Sequence, residues 1–178
     1  MTDMLVKLYA LPELTHLLTE LRQKGIEIRK SHPSEKYILS GWVRQHFKDP
    51  SWAVGCEVAL EHRPASCYIA IEKRQTHVPS RNPYDLPDET LLGFACFDVS
   101  SKGMFGPLGV HENYREQGIG TALLLACLHA MKEEGYAYAV IGWVSSEEFY
   151  ANAVGAIVIP DSEPGIYRGK LVDGPSKT

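Results

Sequence analysis

The stretch Val110-His111-Glu112-Asn113-Tyr114-Arg115-Glu116-Gln117-Gly118-Ile119-Gly120-Thr121-Ala122-Leu123-Leu124 joins an apolar run to a long helical pattern. It contains the spacing Arg-x-x-Gly-x-Gly, at Arg115, Gly118 and Gly120. Glycines at a strand-to-helix junction leave backbone N–H groups uncovered by side chains. The first N–H groups of a helix have no internal partner, and they carry the positive end of the helix dipole. The junction therefore predicts an anion-binding site.

Two well-known phosphate-binding motifs do not fit this junction. The dinucleotide fingerprint requires a third glycine, and Leu123 stands at that position. A phosphate loop requires Gly-x-x-x-x-Gly-Lys-Ser/Thr, a string that the sequence does not contain. An unrelated nucleotide-binding domain remains an alternative, and the missing lysine and glycine disfavour it.

The junction resembles the pyrophosphate-binding motif of the GNAT acyltransferases, the superfamily that moves an acetyl group from coenzyme A to an amine. The family pattern, Arg/Gln-x-x-Gly-x-Gly/Ala, closes a strand and opens a helix. The resemblance implies that the Arg115 side chain adds charge-assisted hydrogen bonds to phosphate. It also implies that backbone N–H groups bind the pyrophosphate at Gln117, Gly118, Ile119, Gly120 and Thr121. The alternative is a glycine-rich turn that only lets a helix pack closely.

Composition narrows the class of protein. The 178 residues suit one domain, and the net charge of −4 comes without the basic patch that nucleic-acid binding requires. No apolar run approaches the ~20 residues of a membrane span, and the N-terminus lacks the regions of a signal peptide. The four cysteines have no metal-ligand spacing, which indicates reduced thiols in a cytoplasmic protein and no metal site.

Hydrophobic periodicity predicts the order of helices and strands. A strand at 4–9 and a helix at 11–24 form an N-terminal extension, residues 1–25, packed on a single domain of residues 26–178. The domain begins with a strand at 26–29 and helices at 33–47 and 52–62. Strands follow at 67–71, 91–99 and 104–110, then a helix at 117–134 and a strand at 136–144. A capping box, Ser145-x-x-Glu148, opens a short helix to residue 154, and a hairpin at 156–159 and 166–171 closes the chain. The polar stretch 75–89 is a candidate mobile flap.

This order also resembles that of the GNAT acyltransferases. It predicts an α/β protein with the GNAT acyl-CoA N-acyltransferase fold. The fold has a mixed, mostly antiparallel central sheet flanked by helices and splayed at the fourth and fifth strands, here 104–110 and 136–144. In that family the pantetheine arm of coenzyme A fits the gap and pairs with strand backbone, which implies roles for Leu108, Gly109 and Val110. Pro107 and its flanking glycines give a physical reason for unpaired backbone. A plain edge strand with a bend is the alternative.

Tyr150 is the candidate general acid. Many family members carry Phe-Tyr-Glu-Lys-x-Gly-Phe at this point, and the tyrosine of that motif protonates the departing thiolate. The match here is imperfect, because Gly155 comes five residues after Tyr150 rather than four and Ala156 replaces the aromatic residue. A half-buried amphipathic tyrosine without a catalytic role is the alternative.

The general base is less well defined by the sequence. Several family members use a glutamate on the interrupted strand, and this strand has none. Asp98, near the end of the partner strand, is the nearest candidate. A water chain that relays the proton to solvent is an equal alternative, and so is a structural role for Asp98 at the start of a turn. His111 and Glu112 are expected to point toward the cofactor side.

The resemblance implies an N-acetyltransferase that uses acetyl-CoA as co-substrate. The acceptor is expected to be a primary amine of a small molecule or peptide that attacks the thioester directly in a ternary complex. The acceptor pocket is expected between the helices at 33–62 and Trp143, where Trp42, Trp52, Glu35 and Glu57 suit a small cation. No metal, nucleic acid or membrane partner is expected, and a homodimer is left open. A non-catalytic acyl-CoA sensor on the same scaffold is the competing hypothesis.

Overall fold

The computed structural model describes residues 1–73 and 89–166 of the chain. The predicted flap, apart from Glu89, and the predicted strand at 166–171, apart from Ile166, lie outside the described residues.

Seven strands and five α-helices make up the described part of the chain. The strands are β1 (Met4–Lys7), β2 (Ile26–Lys30), β3 (Cys67–Lys73), β4 (Glu89–Phe97), β5 (Met104–Val110), β6 (Tyr138–Ile141) and β7 (Ile157–Val158). The helices are α1 (Thr15–Gln23), α2 (Lys36–His46), α3 (Pro50–Glu61), α4 (Ile119–Glu133) and α5 (Glu147–Val154). Short 3-10 turns stand at Leu8–Ala10, Pro33–Glu35 and Glu112–Tyr114.

Most predicted elements are present, and their ends differ for local reasons. The helix predicted from residue 117 begins at Ile119, because Gly118 adopts a left-handed backbone conformation with φ of 86°. The predicted capping box at Ser145 is wrong. α5 begins at Glu147, and its N-cap residue, Ser146, makes no side-chain cap hydrogen bond with the described residues. α3 begins at Pro50, two residues before its predicted start, and Asp49 caps it by accepting a hydrogen bond from the Ser51 N–H group at 2.9 Å.

The strands form one mixed sheet in the order β2-β3-β4-β5-β6-β1-β7. β5 and β6 pair in parallel, and every other strand pair of the described residues is antiparallel. The sheet is flanked by helices on both faces, so the predicted fold class is confirmed.

The first strand lies inside the sheet. β1 pairs with β6 over Met4↔Ile141 to Lys7↔Tyr138, and with β7 on its other side. Met4, Val6 and Leu8 are at most 1% exposed and pack in the main core. The segment that was assigned to an N-terminal extension therefore shares both the sheet and the core with the rest of the chain.

Two cores cover the two faces of the sheet. The first, around α4 and β1, includes Phe97, Phe105, Leu124 and Met131, and Tyr150 packs at its margin. The second holds α2 and α3 against β3 and β4, around Leu39, Val43, Cys56 and Phe94. The two cores place α4 with α5 on one face and α2 with α3 on the other, and β5 lies between them.

A β-bulge interrupts β5. Ala95 is paired with Leu108 and Phe97 with Phe105, so Gly106 and Pro107 together stand opposite the single residue Cys96. Two residues opposite one define a bulge, which bends the strand and re-aims its side chains. The predicted irregularity of this strand is confirmed.

The gap beside β5 opens directly after the bulge. β5 pairs with β6 at Met104↔Val140 and Phe105↔Ile141, and no further pair joins these strands among the described residues. The remainder of β5 stays paired with β4, from Leu108 to Val110. β5 therefore presents one unpaired edge toward β6 over its last three residues, which is the predicted splay.

Gly93 lets β4 lie close to the last residues of β5, which pair with β4 but, among the described residues, not with β6. A Cβ atom at this position would lie 2.8 Å from the Gly109 carbonyl oxygen and 3.3 Å from Val110 Cα. Because these contacts are with backbone, we expect Gly93→Ala to lower the free energy of unfolding by about 2 kcal/mol. The corresponding fall in Tm is about 4–8 °C. Gly41→Ala is the matched control, because open space surrounds that helical position, and an unchanged Tm in Gly93→Ala would contradict the prediction.

Candidate active site

The start of α4 presents unpaired amides, as the sequence predicts. The first intrahelical hydrogen bond runs from the Ala122 N–H group to the Gly118 carbonyl oxygen, at 3.0 Å. The N–H groups of Ile119, Gly120 and Thr121 precede that bond, so they have no partner within the helix. Gly120 leaves room above them, since a Cβ atom there would be 3.7 Å from Val110 and 3.8 Å from Phe149. The helix start is thus a cradle of three unpaired N–H groups at the positive end of the helix dipole, the polarity that a phosphate needs.

Arg115 lies between this cradle and the end of β5. Its Nε donates to the Val110 carbonyl oxygen at 3.3 Å, and its side chain is exposed. The guanidinium group has further N–H donors that this contact does not use. The structure therefore brings the predicted arginine to the same edge as the predicted glycines.

The unpaired edge of β5 is built by Leu108 and Val110. The His111 N–H group donates to the Leu92 carbonyl oxygen at 2.8 Å, and hydrogen-bonded and open pairs alternate along an antiparallel ladder. The pairs Val110↔Gly93 and Leu108↔Ala95 are therefore of the open kind, and their N–H and C=O groups point away from β4 toward the gap. Gly109 belongs to a hydrogen-bonded pair, so its backbone groups point to β4. Of the three predicted pairing residues, Leu108 and Val110 carry the free edge.

Gly109 has a different role from Leu108 and Val110, because it allows two aromatic rings to pack against β5. A Cβ atom at Gly109 would lie 2.7 Å from the rings of Phe47 and Phe94. The glycine lets these aromatic rings lie directly on β5, on the face that α2 and α3 cover.

Tyr150 lies beside the bulged strand on the α4 side. Its ring packs edge-on against Phe105, with centroids 6.4 Å apart, and against Phe149 at 4.9 Å. Burial raises the pKa of Tyr150 to about 12. Among the described residues, no hydrogen bond holds its hydroxyl group. The phenol is therefore protonated at neutral pH and able to donate to a partner in the gap.

Asp98 lies at the closed end of the gap. Its N–H group donates to the Met104 carbonyl oxygen, where β5 and β6 are still paired. The carboxylate accepts hydrogen bonds from Tyr136 (2.7 Å), the Gly103 N–H group (2.8 Å) and Lys102 (3.0 Å). These hydrogen bonds fix the β4–β5 turn. They agree with the structural role that is the alternative to a catalytic role for Asp98. Val110 lies six residue steps along the strand from Met104, which corresponds to about 20 Å.

A cleft of about 200 Å³ lies between the end of α2 and the segment after β5. It is lined by Gln45, His46, Phe47, Val110, His111, Glu112 and Arg115, so it adjoins the end of the unpaired edge. The His46 and His111 rings meet edge-on, with centroids 4.7 Å apart. The His111 ring packs toward Trp42 and His46 of α2. His111 and Glu112 share the cleft with Val110 and Arg115, and their direction toward the cofactor stays a prediction.

The two carboxylates expected in the acceptor pocket, Glu35 and Glu57, accept hydrogen bonds from arginine side chains. Burial raises the pKa of Glu35, but hydrogen bonds from Arg29 and the His32 backbone outweigh that effect and hold it at about 2. Glu57 accepts a hydrogen bond from Arg44 at 2.7 Å. Neither carboxylate faces the cleft described above. Trp42 and Trp52 pack around Phe94 as part of the α2–α3 core.

Trp143 follows β6 at the far wall of the gap. It has a left-handed backbone, with φ of 48°, and its N–H group donates to the buried Asp3 carboxylate at 3.0 Å. Its indole N–H group donates to the Pro164 carbonyl oxygen at 3.4 Å. The N-terminal residues thus fix the conformation of this wall, and the sequence carried no local signal for that contact.

Within residues 1–73 and 89–166, no group of three or more histidine, cysteine, aspartate or glutamate residues is placed to hold a metal ion. None of the helices in that part of the chain is long and apolar enough to cross a membrane.

Comparison with known proteins points to one family. The sequence matches the Acetyltransferase (GNAT) family over residues 42–155. No curated protein sequence matches the chain significantly.

Solved structures share the fold at low sequence identity. A region of a fungal multi-domain GH3 β-N-acetylglucosaminidase, described as a GCN5-related glucosamine N-acetyltransferase region, has a TM-score of 0.65 at 13% identity. A GCN5-related N-acetyltransferase from Sphaerobacter thermophilus has a TM-score of 0.63 at 18% identity. L-PGS from Bacillus licheniformis has a TM-score of 0.53 at 11% identity. These alignments cover 89%, 89% and 88% of this chain but only 19%, 48% and 57% of the respective structures.

Proposed function

Because this chain belongs to the GNAT acetyltransferase family, we propose that it transfers the acetyl group of acetyl-CoA to a primary amine. The amine attacks the thioester directly while both substrates are bound. The observation that carries the proposal is the continuous path formed by the unpaired edge of β5 and the bare amides at the start of α4.

The residues present fit coenzyme A on physical grounds. Diphosphate needs converging donors, and Ile119, Gly120, Thr121 and Arg115 supply them at a helix N-terminus. The amide-rich pantetheine arm needs backbone partners, and the edge of β5 offers an N–H and a C=O group at Leu108 and a C=O group at Val110 that Arg115 also contacts. β6 leaves β5 after Phe105, so the edge of β5 is open to an added chain.

The chemistry assigned to the protein is mainly positioning and proton donation. Bound acetyl-CoA supplies an activated acetyl group. The Tyr150 hydroxyl donates a hydrogen bond to the leaving sulfur as negative charge develops there, and its raised pKa keeps the phenol protonated. The Asp98 carboxylate is committed to the β4–β5 turn, so we assign the removal of the ammonium proton to solvent that reaches the gap.

Gly120→Val tests the binding path. The two methyl groups would extend from a Cβ that already lies 3.7 Å from Val110 and 3.8 Å from Phe149, and so enter the cradle. We expect the variant to fold, since those contacts are of ordinary length. We expect its affinity for coenzyme A to fall at least tenfold, about 1.4 kcal/mol. Isothermal titration calorimetry with coenzyme A and acetyl-CoA measures the change.

Gly41→Val is the matched control, because it places the same side chain on a helix in open space. Equal affinity of the wild type and Gly120→Val would remove the α4 start from the binding site. A thermal-shift series with acetyl-CoA, coenzyme A and ATP separates the proposal from nucleotide binding, because a ligand stabilises the state that it binds.

A further inference from the structure

We infer that Cys56 and Cys96 form a reversible disulfide when a small-molecule disulfide oxidises them, and that this bond weakens the binding of coenzyme A. The redox step is independent of the proposed function, whereas the effect on coenzyme A rests on it. Both thiols lie in the core on the α2–α3 face of the sheet, next to the bulge of β5. The proposed acetyl transfer uses neither of them.

Three buried cysteines meet at this place. Cys56 is on α3, and Cys67 and Cys96 stand directly opposite each other on β3 and β4. All three side chains are fully buried. The Cys96 thiol donates to the Cys56 Sγ atom at 3.9 Å, whereas the Cys67 thiol donates to the Tyr68 carbonyl oxygen at 3.8 Å. The sulfur contact therefore selects Cys56 and Cys96 as the pair that oxidation joins.

The reaction begins at Cys56. Hydrogen bonds from the thiols of Cys67 and Cys96 lower the pKa of Cys56, whereas burial raises the pKa of Cys96. The Cys56 thiolate attacks the small disulfide, forms a mixed disulfide with one half and releases the other half as a thiol. The Cys96 sulfur then attacks Cys56 Sγ and releases the second half. Two protein thiols are thus oxidised to one disulfide, and the two released thiols take up the two protons.

The oxidant reaches the thiols when α3 lifts from the sheet. The buried face of α3 carries three small side chains, Ala53, Cys56 and Ala59, and one leucine. The buried face of α4 on the other side of the sheet includes four leucines. Because the apolar area that a helix buries sets much of the cost of exposing it, α3 opens at a lower cost than α4.

The disulfide acts on the bulge through α3. Cys96 is the residue of β4 that stands opposite the bulge. A Cβ atom at Gly55 would lie 3.2 Å from Pro107 Cδ, so the α3 backbone next to Cys56 lies directly on the bulge. An S–S bond is about 2.05 Å long, so the two sulfurs must approach each other by about 2 Å. Close packing transmits such strain, and we expect it to distort the bulge and the unpaired edge that follows it.

The redox step is tested on the whole chain with hydroxyethyl disulfide as the oxidant. The oxidant is removed, the protein is unfolded, and free thiols are labelled with N-ethylmaleimide and counted by mass spectrometry. Two of the four cysteines of the chain are expected to lose their reactivity, and peptide mapping identifies the linked pair. Cys96→Ala should abolish the bond. Cys67→Ala should keep it and is the matched control, because Cys67 is the equally buried residue opposite Cys96.

The effect on binding is measured by calorimetry with desulfo-coenzyme A, which has no thiol that could reduce the disulfide. We expect the oxidised wild type to bind about tenfold more weakly than the reduced protein, and dithiothreitol to restore the affinity.

Four free thiols after oxidation, or a linked pair without Cys96, would overturn the inference and leave the proposed function standing. Equal affinity of the oxidised and reduced proteins would also overturn it. These measurements use the wild type, so they do not depend on the folding of a variant. Failure of the reduced wild type to bind coenzyme A or its desulfo analogue would instead overturn the proposed function and the effect on binding, and the thiol count would still decide the redox step.

Discussion

Tyr150→Phe is expected to lower kcat by about 10²-fold, a loss of about 2.7 kcal/mol of transition-state stabilisation. The phenylalanine ring keeps the contacts with Phe105 and Phe149, so the local packing is preserved. What is lost is the hydroxyl proton that we propose Tyr150 donates to the leaving sulfur. The ordinary pKa of a thiol is about 8.5, so the thiolate is a good leaving group, and a hydrogen bond from Tyr150 would stabilise the negative charge that develops on its sulfur. Affinity for acetyl-CoA should be nearly unchanged.

The rate is measured as release of coenzyme A thiol with an accepted amine. Tyr138→Phe is the control, because this tyrosine stands at the other end of β6, where it pairs with Lys7. Equal turnover of Tyr150→Phe and the wild type would refute the role of Tyr150. A wild type that binds acetyl-CoA but acetylates no amine in a broad panel would favour the non-catalytic sensor.

Asp98→Ala is expected to lower the free energy of unfolding by about 3 kcal/mol, and Tm by about 6–12 °C. The change removes the hydrogen bonds from Tyr136 and the Gly103 N–H group, worth about 1 kcal/mol each, and the exposed contact with Lys102. It also puts alanine at a left-handed backbone position, with φ of 62°, which aspartate tolerates better. Thermal and urea unfolding measure the loss.

The milder variant Asp98→Asn separates structure from catalysis. Asparagine accepts the left-handed conformation and can keep part of the network, so enough folded protein should remain for kinetics. If Asp98 only holds the turn, the acidic limb of the pH–rate profile stays where it is in the wild type. A shift of that limb with unchanged stability would restore Asp98 as the general base.

The sequence best predicts those features that depend on the backbone preferences of single residues, such as glycine and proline. Gly118 and Gly120 mark the start of α4, because only glycine combines a left-handed cap with bare amides. Gly106 and Pro107 mark the bulge, since proline cannot continue a regular ladder. The fold class followed from these two features and the order of helices and strands.

The sequence does not predict which way side chains point after a bulge or an irregular loop. The bulge inserts an extra residue into β5, so simple alternation carried across it gives no reliable side for the residues that follow. Asp98 looked like a free carboxylate because its partners come from a turn and from Tyr136, which is remote in the sequence. The capping box predicted at Ser145 does not form, because the backbone after β6 is irregular and Trp143, before α5, is left-handed.

The position of β1 in the sheet has a consequence for how the protein folds during synthesis. The strand leaves the ribosome well before its partners, β6 and β7, which lie more than a hundred residues later in the chain. At roughly 5–20 residues per second, the apolar sequence Met4-Leu5-Val6 waits on the order of 10 s before its partners have been made. Long-range pairing of this kind slows folding. We therefore expect the wall of the gap that contains β6 and Trp143 to form last, and the nascent chain to need protection of its N-terminal strand until then.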